Sequence, residues 1–377
     1  MMQLKKIDAT GKPYRIFAKH LENQAIDQFV GAMLQDSVLK GALMPDAHAG
    51  YTLPIGAVVA VNGMVYPSFV GYDIGCGMCA VKTTFSATAV RKNAQAIFTR
   101  IYDTLPVGFA HRKTPSQWCD EKRFDHTPHL KKLMANGGLK QLGTLGSGNH
   151  FVEVGEDESG KVWIVIHSGS RNIGHSVATH YLKVASPDGR PREGFFGLRT
   201  DSAAGEDYVR DMTYCLAFAE ENRRQIMEVT ATAIAAQVEG KLLFSSLINR
   251  THNHAEKTGG LWIHRKGATH AEDGMPGVIP GNMRDGSFIV RGKGNPESLS
   301  SSSHGAGRVM GRKEAKKKID PAAFTAGMKA RGITAKTDRH TLDEAPQAYK
   351  NIREVMAMQA DLVEVLHHIR PIINIKG

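Results

Sequence analysis

Apolar residues recur along the chain at two periods, and the changes of period mark out elements. Ala25, Ile26, Phe29, Val30, Met33 and Leu34 fall at helical spacing, which predicts a helix over residues 25–43. MPDAHAGYTLP then breaks the pattern. From Ile55 to Thr84 the short apolar runs IGAVVAV, MVYPSFV and MCAVKTTF, separated by Gly-rich turns, predict strands, with a hairpin turn at Asn62-Gly63. Residues 88–136 are mixed and polar and predict a basic, mostly helical insert with an exposed loop, HRKTPSQW. LGTLGSGNHFVEV and VWIVIHSGSRNIGH read as two strand-then-loop units. Few breakers occur from Glu206 to Val238, so residues 206–238 predict a long amphipathic helix or helix pair.

LWIHRKGATH and SFIVRGKGNPESLSSSSHGAGR return to strand and loop, KEAKKKIDPAAF opens a helical C-terminal third, and strand residues lead into Lys376-Gly377. Polar loop-forming clusters are scattered from residue 44 to residue 308, with no repeat or linker between them. That distribution predicts a single α+β domain over 1–377, with central β-sheets flanked by helices.

Composition narrows the partners. The chain of 377 residues holds 48 Lys and Arg against 37 Asp and Glu, a net charge of +11 that favours a polyanion such as nucleic acid or a nucleotide. No segment approaches the roughly 20 apolar residues of a membrane span, and the first residues lack a signal-peptide core, so the expected location is the cytoplasm, away from membranes. Cysteines at 76, 79, 119 and 215 are too few and unevenly spaced for a disulfide scaffold. The 39 glycines cluster beside His, Asp and Ser, as expected of a site built from tight loops.

In VGYDIGCGMCAV, Asp73 and Cys76 lie three residues apart among glycines, so that a carboxylate and a thiolate converge. Oxygen and sulfur together suit a borderline divalent ion, and Cys76 with Cys79 imitates half of a zinc knuckle without a second pair. His150, His167, His252 and His254 supply imidazoles at strand ends and loops. SSSSHGAGR sets His304 in a Ser- and Gly-rich, flexible loop near Arg308. There an accessible imidazole could attack an activated phosphoryl group, with Arg171, Arg308 and a metal neutralising the charge.

The segments PDAHAGYTLPIGAV, VGYDIGCGM, LGTLGSGNHFVEV, HSGSRNIGH, THNHA, PGNM, SSSHGAGR and EAPQAYK resemble, in order, the motifs of RtcB RNA ligases from about Met44 to Gly377. The resemblance implies an enzyme that uses GTP and two Mn(II) ions to join an RNA 3′-phosphate or 2′,3′-cyclic phosphate to a 5′-hydroxyl, through histidyl-GMP and guanylylated RNA. It makes Asp73, Cys76, His150, His167 and His252 the manganese ligands and His304 the nucleophile. By the same resemblance Asn149 and Arg171 contact phosphates, Glu153, Tyr349 and Lys376 hold the guanosine, Asn282 lies in the nucleotide loop, and Asp46 stands beside the histidine loop.

The chain departs from the family's pattern at Asn282 and Arg284, where Ser and Gly are usual, at Gln347, where Gly is usual, and at His254, a more often apolar position. With an altered 185–205 segment and a short form, these departures resemble a repair branch linked to a release-factor-like protein. That branch implies tRNA or rRNA fragments as substrate; a monomer is expected. Two other classes remain open at this level: a metal-dependent phosphohydrolase needing no nucleophilic histidine, and a noncatalytic basic RNA-binding protein.

Overall fold

A computed structural model of the chain describes residues 3–118 and 125–377; Cys119 lies outside them. Its centre is an eight-stranded sheet in which Pro276–Pro280, Ser287–Gly292, Val363–Lys376, Phe151–Glu156, Lys161–Ser168, Gly77–Ser86 and Ile248–Thr251 follow one another antiparallel, with Thr334–Ala335 added parallel to Val363–Lys376. A five-stranded sheet runs Tyr14–Ile16, Val38–His48, Ile55–Val61, Leu261–Lys266, Asn253–Thr258. The α+β expectation holds.

Alternation along the central strands sorts side chains onto two faces. Val152, Val154, Ile164, Ile166, Ile373 and Ile375 pack in one cluster with Ile97 and Ile101 of the helix Ala94–Thr104 and with Ile226, Met227 and Ile234 of the helix Ala203–Ala235. Phe151, Trp163 and Val165 face the other way, against Val278 and Ile289. The functional residues of these strands belong to this second face.

Several expected boundaries move. The helix expected over 25–43 is Asn23–Met33, and Val38–His48 is a strand. Val38, Leu39, Ala42, Leu43 and Met44 suit either period, and pairing with Ile55–Val61 decides between them. MVYPSFV is not one strand: Met64–Val65 pairs with Leu198–Arg199, and Pro67 opens the short helix Pro67–Val70, where its missing N–H costs nothing. The 88–136 insert holds the helices Ala87–Lys92, Ala94–Thr104 and Pro128–Ala135, and residues 105–118 between them form no helix or strand.

The long helix spans Ala203–Ala235, slightly earlier than expected, with Ser202 capping the Gly205 N–H. In LGTLGSGNHFVEV the loop precedes the strand Phe151–Glu156. The C-terminal region holds three short helices, Arg312–Lys318, Pro321–Ala330 and Ile352–Met358, before the long strand Val363–Lys376. Finally, the Ser run before His304 is no flexible loop. Ser301–Ser303 is a buried strand paired with Ala268–His270, where Arg265 Nε donates to Ser301 Oγ and the Ser303 amide donates to Gln359 Oε1.

Candidate active site

Cross-strand register assembles the site. Phe151 pairs with both His167 and Lys376, and Glu153 pairs with both Val165 and Asn374, so His167, Glu153 and Lys376 share the face opposite the long helix. Asp73 and Cys76 come from the turn before Gly77–Ser86, and His252 follows Ile248–Thr251, on the neighbouring strands. The His252 amide donates to the Cys76 carbonyl at 2.8 Å, which ties the Cys76 and His252 segments together.

All five residues expected to hold metal meet. Cys76 Sγ lies 3.1 Å from His167 Nε2 and 3.5 Å from His150 Nε2; His150 Nε2 lies 3.1 Å from Asp73 Oδ2, and His167 Nε2 lies 3.3 Å from His252 Nε2. Cys76, His150, His167 and His252 are buried, and Asp73 is half-buried. Carbonyl groups behind the rings fix the proton positions. His150 Nδ1 donates to Leu145 O and His167 Nδ1 donates to Asn149 O, so Nε2 is the ring atom that each turns into the cluster.

His150 Nε2 and Asp73 Oδ2, 3.1 Å apart, are placed so that a bound cation could take a donor from each. Burial and neighbouring imidazoles push the pKa values of His167 and His252 well below the usual histidine range, which keeps both rings neutral. Burial, reinforced by Asp73, raises the Cys76 thiol well above its ordinary value, so that a bound cation would displace its proton. The donor set of one thiol, three imidazoles and a carboxylate fits a divalent metal of borderline softness. Cys79 takes no part: it sits in the helix-side core, where burial lifts its thiol to about 12. His254 is also outside the cluster, stacked on His270 beside the Arg265 guanidinium, which binds Glu256 and Glu272.

His304 stands next to the cluster, its ring 4.9 Å from that of His252. Asp46, fully buried at the end of Val38–His48, accepts from His304 Nδ1 at 2.7 Å and from the amides of His304 and Gly305 through the same oxygen, Oδ2. With Nδ1 engaged by Asp46, His304 Nε2 is left without a hydrogen-bond partner among the described residues. Gly307 adopts φ +75°, and a Cβ there would come within 2.3 Å of the Asp46 carbonyl oxygen, so this loop accepts only glycine.

Beyond His304 a cavity is lined by Glu153, Asn149, Asn282, Tyr349 and Lys376. Glu153 is buried with Oε1 unpartnered, and burial pushes its carboxyl up to about 8. Tyr349 Oη donates to Glu344 Oε2 at 2.6 Å and Lys376 Nζ donates to the same oxygen at 2.8 Å, while Arg308 and Arg312 donate to Oε1. Burial alone would raise the Glu344 carboxyl, but Lys376 and Arg312 outweigh it and hold it at about 2. Asn282 lines the cavity but spends its side chain on its own turn, bonding Asp285 and the Arg284 amide.

Arg171 opens the helix Arg171–Ala185 with φ 58° and donates to Thr144 Oγ1 and Gly108 O beside His150. A Cβ at Gly146, φ +92°, would fall 2.0 Å from the Arg171 guanidinium. Several contributors escaped sequence reasoning. Arg223, fully buried on the long helix, donates to Gly75 O and Ser168 O, and Asn222 holds Gly143, Thr144, Ser168 and Gly169. Glu344, His48 and Lys266 also line the clefts or organise them. For Glu344, His48 and Lys266 a signal existed, since they sit inside EAPQAYK, PDAHAG and HRKGATH. Asn222 and Arg223 had none beyond their lying on an amphipathic helix.

Fold and site together define an α+β protein in which a buried cluster of Asp, Cys and His side chains adjoins a histidine held by a buried carboxylate and a cavity lined by Arg308, Arg312 and Lys376. The sequence model of the family described as "tRNA-splicing ligase RtcB" matches residues 30–377, and the chain belongs to that family. It is 34% identical to "RNA-splicing ligase RtcB" of Escherichia coli K12 and to "RNA-splicing ligase RtcB1" of Escherichia coli ATCC 25922, over 100% of this chain and 100% of each relative. It is 29% identical to "tRNA-splicing ligase RtcB" of Pyrobaculum aerophilum, over 97% of this chain and 95% of that protein.

Proposed function

We propose that this protein is an RNA ligase that uses GTP and two Mn(II) ions to join RNA 3′-phosphate or 2′,3′-cyclic phosphate ends to 5′-hydroxyl ends. The observation that carries the reading is His304, held by Asp46 with Nε2 free, at 4.9 Å from the ring of His252 in the cluster. Asp73, Cys76, His150, His167 and His252 would hold the manganese ions. When bound, these would polarise the reacting phosphates and neutralise their charge.

His304 Nε2 attacks the α-phosphorus of GTP; the N–P bond forms as the bond to pyrophosphate breaks, and Asp46 keeps the proton on Nδ1. An oxygen of the RNA 3′-phosphate then takes the GMP, returning the electron pair to Nε2. The 5′-hydroxyl oxygen then bonds to the RNA phosphorus as the bond to GMP breaks, and its proton passes to water. A cyclic phosphate end is first opened by water. Glu153 is the acceptor for guanine N1–H and N2–H, with Tyr349, Lys376 and Asn282 around the nucleoside and Asn149 and Arg171 toward the phosphates of the nucleotide or the RNA end. We extend the reading to a single-domain, cytoplasmic monomer acting on tRNA or rRNA fragments, with a functional link to a release-factor-like protein resting on the altered loops.

The test is incubation with α-labelled GTP and manganese, followed by a denaturing gel. Wild type is expected to carry an acid-labile, alkali-stable label that His304→Ala lacks. Absence of label on folded, metal-loaded wild type would sink the mechanism and favour a phosphohydrolase, which His304→Ala would leave active.

A further inference from the structure

Aromatic side chains from separate segments gather beside Asp73; Tyr51 and Tyr72 also line the open cleft that reaches His304, but none of the group lines the cavity that holds Glu153. Tyr72 stacks on His175, with centroids 5.1 Å apart and planes at 23°, and meets Tyr51 edge-on at 6.4 Å. Tyr51 is 75% exposed. Across a cleft from this pair is Phe109, 94% exposed.

Phe109 is not a loose tip. The Gly108 amide donates to Gly146 O at 2.7 Å, Arg171 Nη2 donates to Gly108 O at 3.2 Å, and the Ala110 and Arg112 amides donate to Val107 O and Lys140 O. Hydrogen bonds on both sides thus hold a large apolar ring out in solvent, where folding alone gains nothing from it. The cleft between Phe109 and the Tyr72–His175 pair ends on Asp73, His150 and Arg171.

This cleft shares no lining residue with the cavity that contains His304 and Glu153. The first reaches the metal ligands from Asp73 and His150, the second from His167. Displacement at phosphorus proceeds with the attacking and leaving oxygens in line. With GMP leaving toward the His304 cavity, the attacking hydroxyl needs an approach of its own, and the cleft lined by Asp73 and His150 offers one.

Resting on the ligase reading, we propose that the cleft binds the terminal nucleoside of the RNA strand bearing the 5′-hydroxyl. Its base stacks on Phe109 and the Tyr72–His175 pair, and its first internucleotide phosphate meets Arg171. Stacking is indifferent to base identity, which suits an enzyme that must accept varied ends.

The test uses the full chain with manganese and two short RNAs. One carries 2-aminopurine as the first nucleoside of a 5′-hydroxyl strand, the other as the last nucleoside of a 3′-phosphate strand. Fluorescence of the first probe is expected to be quenched on binding. Phe109→Ala should weaken that binding at least about fivefold, Phe109→Trp should restore it, and thermal unfolding checks each variant's fold. Quenching confined to the 3′-phosphate probe, equal quenching in wild type and Phe109→Ala, or none at all would overturn the proposal. Binding is read without turnover, so a wild type that never forms histidyl-GMP would sink the ligase reading alone.

Discussion

Glu153 carries the sharpest residue-scale consequence. Its carboxyl titrates near 8 in the folded protein against an ordinary value of 4.5, because burial disfavours the charge. Between those values the folded state keeps a proton that the unfolded state has released, so its contribution to stability falls as pH rises through that window. Thermal denaturation of the nucleotide-free protein from about pH 5 to about pH 9 should show this decline, and Glu153→Gln should flatten it. The same variant loses the paired acceptor for guanine, so GTP labelling should drop by more than about tenfold while preference over ATP narrows. Unchanged GTP preference in Glu153→Gln would remove this residue from the guanosine pocket.

At the same scale, Asp73, Cys76, His150, His167, His252 and His304 were all legible as candidates, since metal ligands and nucleophiles come from few residue types. Their grouping was legible only through resemblance to a family. The Asp46–His304 contact joins residues 258 positions apart, a separation that no spacing rule covers.

At the scale of elements, the long helix Ala203–Ala235 does more than cover the sheet. Arg223 ties the turn before Cys76 to the end of the strand that carries His167. Charge-assisted bonds from a buried guanidinium are worth far more than surface pairs, so Arg223→Ala should cost upwards of about 3 kcal/mol and lower manganese affinity. Arg224, next in sequence, pairs with Glu221 and Glu228 at the surface, and Arg224→Ala should cost under about 1 kcal/mol. Denaturant unfolding of the two variants, with manganese titrations, makes the comparison. Equal costs would mean that the helix acts through hydrophobic packing alone.

The element boundaries that moved share one cause. Val38–Met44 and MVYPSFV are short apolar runs compatible with both periods, and hydrogen-bonding partners elsewhere chose between them. The Ser run became a strand because Ala268–His270 pairs with it. Composition there says only that the backbone is free to bend.

For the molecule as a whole, the five-stranded sheet supplies Asp46 and the eight-stranded sheet supplies His167, so one site draws on both. On the single-domain reading the two sheets should unfold in one transition, and manganese should raise its midpoint. At a hundred times the dissociation constant, binding contributes about 2.7 kcal/mol, a shift of several degrees that a chelator should reverse. Two transitions by calorimetry, only one of them sensitive to manganese, would show that the sheets fold as separate units.

The amino-acid sequence by itself determined the α+β class, the main strands, the long helix, the basic character and the residue types of the site, because periodicity and chemical identity are local properties. Only the tertiary structure decided that Asp46 orients His304, that Glu344 binds Tyr349 and Lys376, that Arg223 ties Gly75 to Ser168 and that Phe109 faces a stacked aromatic pair across a cleft. Those are contacts between distant segments, settled by strand register and by the need of buried polar groups for partners.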